Sequence, residues 1–241
     1  MAVPSEQILA LTLIPATAAV VGGAIAVWRT PSEIVRSVIQ HFAAGVVLAA
    51  VAGELLPEMT KEHRPLGVVI GFILGVGLML CVKLVAVRIE ARDDATTGGK
   101  IGLLVTVAID IFVDGLLIGM GFAANARVGI LLVIALTLEL LFLGLSVAAS
   151  LAQANWGRGR TLFSVASLSS LVVLGALLGV MLLSGLSGIA LEIVLSFGAA
   201  ALMYLVVEEL LVEAHKVQET PFITVAFFSG FVSLYLLDLM A

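Results

Sequence analysis

Three acidic side chains near the middle of long apolar runs are the residues best suited to do chemistry. Asp110 and Asp114 interrupt the run from Ile101 to Ala124, and Glu139 is the charged residue inside the next run, 128–152. Asp110 and Asp114 are four residues apart, so on a helix they share one face, about 6 Å apart along the axis. An ionised carboxylate at the centre of a bilayer costs about 2.5–3.5 kcal/mol, so such groups are protonated, line water or hold a cation. We therefore predict a cation or proton site, with a polar contact that only joins helices as the alternative.

The helices that carry these acids are predicted to be antiparallel neighbours, because only the short connection 125–127 separates the two runs. Glu139 falls near the midpoint of its run, at the depth of the two aspartates, so three carboxylates can meet at one level. Further acids lie nearer the membrane surfaces, with Glu54 near the end of the second run and Glu209 and Glu213 near the end of the seventh. Acids at three depths, without a central Lys or Arg, favour a path for cations over a path for anions.

The composition is that of an integral membrane protein. Apolar residues make up 61% of the 241 residues and charged residues 12%, with a mean hydropathy of +1.23, whereas soluble domains carry about 25% charged residues. The net charge of -5 comes without a basic patch, which argues against nucleic acid as a partner, and the single Cys81 excludes an intrachain disulfide. The first apolar run follows a segment without basic residues and stops at Arg29, so we expect a retained transmembrane helix and not a signal peptide.

Eight apolar runs reach the length of about 20 residues that a bilayer requires. The connections between them are short, so we predict one all-α transmembrane domain, residues 1–241, folded as a single bundle. The predicted spans are about 7–28, 34–57, 66–88, 101–124, 128–152, 162–184, 188–212 and 220–240.

The distribution of Lys and Arg predicts the orientation of this bundle. An even number of spans leaves both termini on one side, and that side holds three basic residues against nine on the other. Because basic residues concentrate in cytoplasmic loops, we expect both termini outside the cytoplasm, in what we take to be a prokaryotic cell membrane. The three are Lys61, Arg64 and Arg127, and the nine are Arg29, Arg36, Lys83, Arg88, Arg92, Lys100, Arg158, Arg160 and Lys216.

Two acidic segments indicate an internal repeat. Residues 53–58 read GELLPE at the end of the second span, which runs outward, and residues 208–213 read EELLVE at the end of the seventh, which runs inward. Related segments of opposite direction are typical of inverted-topology repeats in transporters, whose sites lie near the membrane midplane. We therefore predict an inverted repeat of spans 1–3 and 6–8.

Four stretches, in this order and on these spans, resemble the ZIP family of divalent-metal transporters. They are 42–49 (FAAGVVLA), 54–58 (ELLPE), 114–119 (DGLLIG) and 203–215 (MYLVVEELLVEAH). The resemblance extends over essentially the whole chain. It implies a ZIP-like fold of eight transmembrane helices with both termini outside, and transport of a divalent cation. It also implies that Glu209 matches the glutamate that the family's seventh span adds to the metal site.

The sequence departs from the family pattern at that site. The family's fourth span usually reads His-Asn-x-x-Asp-Gly, and here these positions hold Asp110, Ile111 and Asp114. The fifth span usually has His or Gln, then an acid, then Pro and Glu, whereas here Glu139 is followed by Leu140 to Leu143. The family site is usually binuclear, so these replacements imply at most one ion. An all-oxygen ligand set suits Mn²⁺, Fe²⁺ or Mg²⁺ better than a tight Zn²⁺ site.

The expected function is transport of a divalent metal cation of the Zn, Fe or Mn class into the cytoplasm. We expect no tightly bound cofactor, since the metal ion is the substrate; the expected partners are the lipid bilayer, divalent ions and, in a homodimer, a second copy of the chain. The predicted metal-binding residues are Asp110, Asp114 and Glu139 at the centre, Glu54 outside, and Glu209 and Glu213 towards the cytoplasm.

Three alternatives stay open from the sequence. The first is a ZIP-fold transporter that has lost metal transport and carries another solute or protons. The second is an intramembrane enzyme with Asp110 and Asp114 as an acid pair, and the third is a silent scaffold or sensor. Catalytic acid pairs normally come from two different helices, so we do not expect an enzyme.

Overall fold

The computed structural model describes residues 5–29, 31–62, 64–93, 101–217 and 220–240, and within these ranges it contains helices and no β-strand. Eight helical segments of the described residues are long and apolar enough to cross a bilayer, which confirms the prediction of an all-α protein with eight spans. Lys100, one of the residues used to predict the orientation, lies outside the described ranges. The helices are α1 (Ser5–Trp28), α2 (Glu33–Ala50), α3 (Leu56–Glu62), α4 (Pro65–Asp93), α5 (Ile101–Ala124), α6 (Ala126–Gln153), α7 (Arg158–Leu183), α8 (Ile189–Tyr204), α9 (Leu211–Ala214) and α10 (Pro221–Met240).

Two spans are interrupted by π-helical segments. The second span consists of α2, the π-segment Val51–Leu55 and α3, and the seventh consists of α8, the π-segment Leu205–Leu210 and α9. A π-segment inserts an extra residue into the turn and often marks a functional site. Both segments contain acids that the sequence singled out, Glu54 in the first and Glu209 in the second.

Some helices extend past the apolar runs that predicted them. The second span continues to Glu62, beyond the predicted end at residue 57, and α4 continues to Asp93, beyond residue 88. Hydropathy follows the hydrocarbon layer, whereas a helix stops only where its backbone hydrogen bonds stop, so polar ends remain helical outside the layer.

The spans pack as two groups of helices. The first group contains α1, α5, α6 and α7, which make extensive contacts with one another. The second group contains α2, α4, α8 and α10 with their short extensions, in which α4 packs along α8 and α10 along α2. The groups meet mainly where α2 contacts α6 and where α5 contacts α4 and α8. We call the side of the membrane on which α1 begins and α10 ends the terminal side.

The packing has the pairing that an inverted repeat requires. The contact of α5 with α7 is matched by that of α6 with α1, and the contact of α4 with α8 is matched by that of α10 with α2. The close approaches correspond as well. A Cβ on Gly75 would collide with the Phe197 carbonyl oxygen, and a Cβ on Gly230 would collide with that of Phe42. These pairings support the predicted relation between spans 1–3 and 6–8.

Candidate metal centre

The acids predicted to lie at one depth come together between α5 and α6. Asp110 and Asp114 lie one turn apart on α5, and Glu139 lies on α6. Each offers one carboxylate oxygen, and these three oxygens lie within 4.8 Å of one another. Asp114 and Glu139 are 2% and 3% exposed, while Asp110 is partly exposed. Two oxygens bound to one ion at about 2.1 Å are at most about 4.2 Å apart, so small side-chain rotations would close this set around a cation.

Two oxygens of this cluster lack a hydrogen-bond partner among the described residues. They are Oδ2 of Asp114 and Oε2 of Glu139, and both are buried. A buried carboxylate oxygen without a partner is costly, and three acids this close repel one another when they are ionised. The arrangement is therefore chemically incomplete, and either protons or a cation would complete it.

Glycines fix the position of α5 in the bundle. A Cβ on Gly115 would collide with the carbonyl of Val172 on α7, and a Cβ on Gly119 with that of Ala176. This small-residue contact lets the two backbones approach closely, as is common between membrane helices. Directly after the C-terminal end of α5, the side chain of Asn125 accepts a hydrogen bond from the Arg127 amide at 3.0 Å. Asn125 thereby caps the N-terminus of α6, which begins at the next residue. These contacts hold the aspartates of α5 opposite Glu139.

Glu209 lies next to the cluster but is not part of the close set of three oxygens. It is close enough to interact electrostatically with Asp110, Asp114 and Glu139. It belongs to the second helix group, whereas the three acids belong to the first. The neighbouring Glu208 is exposed and forms an ion pair with Lys83 of α4 at 2.7 Å.

The structure places the other two predicted residues at opposite ends of the bundle, each beside a cation. Oε1 of Glu54 lies 3.4 Å from Nε of Arg127 on the terminal side. On the other side, Glu213 forms ion pairs with Arg36 at 3.5 Å and with Lys216 at 2.5 Å. Neither acid contributes to the central set of oxygens.

Sequence reasoning missed the two residues that surround Glu54, namely Arg127 and Asp238. Arg127 was used only as a marker of orientation, and Asp238, which binds the same guanidinium, was not singled out at all. Lys83 is the comparable case on the other side, beside Glu208 and Glu209. One available signal was the repeat itself, because Lys83 and Asp238 lie on the corresponding helices α4 and α10, each beside the π-segment of a partner span.

The resemblance expects ligands for a second metal at positions that here hold apolar residues, and the surroundings of these residues in the structure are apolar as well. Ile111 and Leu143 line a small cavity inside the first helix group, together with Ala19 of α1 and Val165 of α7. Its volume of about 10 Å³ is no more than one water molecule needs. The surroundings of Ile111 and Leu143 therefore do not fit an ion.

Comparison with known proteins gives one family. The family model described as "ZIP Zinc transporter" matches residues 90–240. This range includes the whole of α5 to α10 and hence all three acids of the central cluster. No curated protein matches the chain.

Proposed function

Because the chain belongs to the ZIP zinc transporter family, we propose that it carries a divalent metal cation across the membrane through the cluster of Asp110, Asp114 and Glu139. The observation that carries this proposal is the close set of three carboxylate oxygens at mid-membrane depth. Two of these acids, Asp114 and Glu139, have a buried oxygen for which the described part of the chain provides no hydrogen-bond partner. A divalent cation would satisfy those oxygens and offset the repulsion among the acids.

We propose further that the site takes a single ion and accepts hard cations. Carboxylates without imidazole or thiolate favour Mn²⁺, Fe²⁺ or Mg²⁺ relative to Zn²⁺. The apolar cavity around Ile111 and Leu143 supports one ion in place of two. Binding by three or four oxygens would be weak enough for the ion to be released after transport.

The direction of transport in this proposal is from the terminal side, taken as outside the cytoplasm, to the other side. Glu54 would receive the ion, the central acids would hold it, and Glu209 and Glu213 would pass it on. Two features support this order. Eight of the described basic residues lie opposite the termini, and Glu209 lies next to the central cluster.

Alternating access would come from movement of the first helix group against the second. The three central acids move with α5 and α6 of the first group, while Glu209 belongs to the second. A shift between the groups therefore changes whether Glu209 contributes a ligand oxygen to the bound ion. That difference between two states is what would couple binding to transport.

The test is uptake into liposomes across a panel of divalent ions. Asp110→Asn and Glu139→Gln should each abolish or strongly reduce uptake while the protein remains folded. Glu192→Gln is the matched control, because Glu192 is a buried carboxylate at the start of α8, away from the cluster. Uptake at the wild-type rate by both central variants would refute the proposal.

A second candidate is transport of protons or another solute on the same fold, with the acids as proton carriers. The observation in its favour is that carboxylate oxygens of Asp114 and Glu139 lie within 4.8 Å of each other, and a proton held by one of the two acids would relieve their repulsion. Uptake of protons without any divalent ion in the same liposomes would favour this candidate.

A further inference from the structure

Arg127, at the start of α6, binds two acids at the terminal side of the bundle. Its Nε lies 2.9 Å from Oδ1 of Asp238 and 3.4 Å from Oε1 of Glu54. Its Nη2 donates to the Asp238 backbone oxygen at 2.6 Å and to Oδ1 at 2.5 Å. The two carboxylate side chains are only 11% and 16% exposed. Arg127 thus makes two charge-assisted hydrogen bonds to the Asp238 carboxylate and has Glu54 at ion-pair distance. Its own side chain is 50% exposed, but both acids are shielded, so the contact is stronger than an ion pair between two fully exposed side chains.

This contact joins the two helix groups. Arg127 lies on α6 of the first group, whereas Glu54 lies in the π-segment of the second span and Asp238 lies on α10, both in the second group. On the opposite side, the ion pairs between described residues stay within the second group: Arg36 with Glu213, and Lys83 with Glu208. Among the described residues, ion pairs thus join the two groups at the terminal side and not at the other, where the contact of a charge across the groups is that of Arg36 with the ring of Phe142 on α6, 5.9 Å from its centroid.

Arg127 also shares its helix with a central acid. Glu139 lies about three turns further along α6, so α6 cannot shift Glu139 against the second group without moving Arg127 away from Glu54 and Asp238. The guanidinium is moreover bound to Glu54 and Asp238, the carboxylates that an ion approaching from the terminal side would meet first. Arg127 is therefore positioned as a cation supplied by the protein itself at the place where the transported cation would arrive.

We propose that Arg127, Glu54 and Asp238 form a latch that closes the terminal-side mouth of the path, and that an arriving divalent cation opens it by displacing Arg127 from the two acids. The proposal rests on the proposed function, because it assigns a step of transport to these residues. In the latched state the central acids are shielded from the terminal side, and release of Arg127 lets the groups separate there.

The test measures access to the path with a cysteine. Ala135 lies on α6 between Arg127 and Glu139 and is fully buried. In the full chain with Cys81→Ala and Ala135→Cys, reconstituted in lipid nanodiscs, the reaction rate with a water-soluble maleimide reports opening. Arg127→Met should raise this rate about tenfold, as expected for a closed state favoured by the latch. Glu54→Gln with Asp238→Asn should raise it equally, and adding Arg127→Met to that pair should have no further effect.

Arg160→Met is the matched control, since Arg160 stacks on Trp156 at the opposite side, 3.7 Å from the ring centroid. The latch would be overturned if the labelling rates of the Arg127 variant and of the double acid variant both stayed within twofold of the parent rate. It would also be overturned if the labelling rate of the control rose equally. The double acid variant decides the matter if Arg127→Met does not elute as a folded protein, because Gln and Asn preserve side-chain shape.

Uptake by liposomes separates this proposal from the proposed function. A parent protein that moves no divalent ion, while the latch variants still show faster labelling, would refute metal transport and opening by an arriving ion, and would leave only the closure of the mouth by Arg127 standing. Normal uptake with unchanged labelling in all variants would refute the latch and leave the proposed function intact. Mn²⁺ alone, added to the latched parent, should accelerate labelling; no acceleration in a parent that takes up Mn²⁺ would refute displacement by the ion.

Discussion

Replacing Glu139 with Gln should make the metal-free protein more stable. The change removes one of three carboxylates whose oxygens lie within 4.8 Å of one another. Two full charges at that distance repel by about 3.5 kcal/mol at an effective dielectric constant of about 20. Proton sharing relieves part of this repulsion in the metal-free state, so we expect a net gain of about 1–2 kcal/mol, or about 2–8 °C in melting temperature for a chain of this length.

The assay is thermal unfolding in detergent, with chelator and then with Mn²⁺. In chelator, Glu139→Gln and Asp114→Asn should both melt above the parent. Added Mn²⁺ should raise the melting temperature of the parent and should have little effect on either variant. Glu192→Gln serves as the control, because it removes one buried carboxylate outside the cluster; the gain of each cluster variant above that of Glu192→Gln measures the repulsion among the three acids. An unchanged or lower melting temperature for both cluster variants in chelator would refute the clustering of three acids in the metal-free protein.

Three further predictions follow from the same site. Asp110→His should shift ion preference towards Zn²⁺, because imidazole suits Zn²⁺ better than a carboxylate does; competition binding between Zn²⁺ and Mn²⁺ measures this, and an unchanged ratio would count against Asp110 as a ligand. Metal affinity should fall as the pH is lowered, because protons compete with the ion for the same oxygens; pH-independent Mn²⁺ binding by calorimetry would contradict carboxylate ligation. Gly115→Val should lower both the melting temperature and metal binding, because its side chain would push α5 away from the Val172 carbonyl, whereas Gly77→Val, which meets open space, should change neither.

The centre of the site could be predicted because few alternatives fit the sequence. The connection 125–127 is too short to place α5 and α6 anywhere but side by side, so the depth of each acid along its own apolar run determines whether they meet. Asp110, Asp114 and Glu139 do meet, within 4.8 Å. The eight spans were predictable for a similar reason, because a bilayer demands a long apolar run for every crossing.

The ends of the path were less predictable, because the partners there come from helices distant in sequence. Nothing in the local sequence indicates that Arg127 reaches Asp238, which lies at the far end of the chain. The π-segments are also hidden from hydropathy, since one extra residue in a turn leaves an apolar run apolar. They nevertheless alter the direction of every side chain beyond them, including that of Glu213.

The binding stoichiometry of the site tests the central claim most directly. Crystals soaked in Mn²⁺ and in Zn²⁺ would give anomalous scattering peaks at bound ions. We predict one peak per protomer, between Asp110, Asp114 and Glu139, with Mn²⁺ as well as with Zn²⁺. Two strong peaks at the midplane, or no peak near these acids with either ion, would contradict the account.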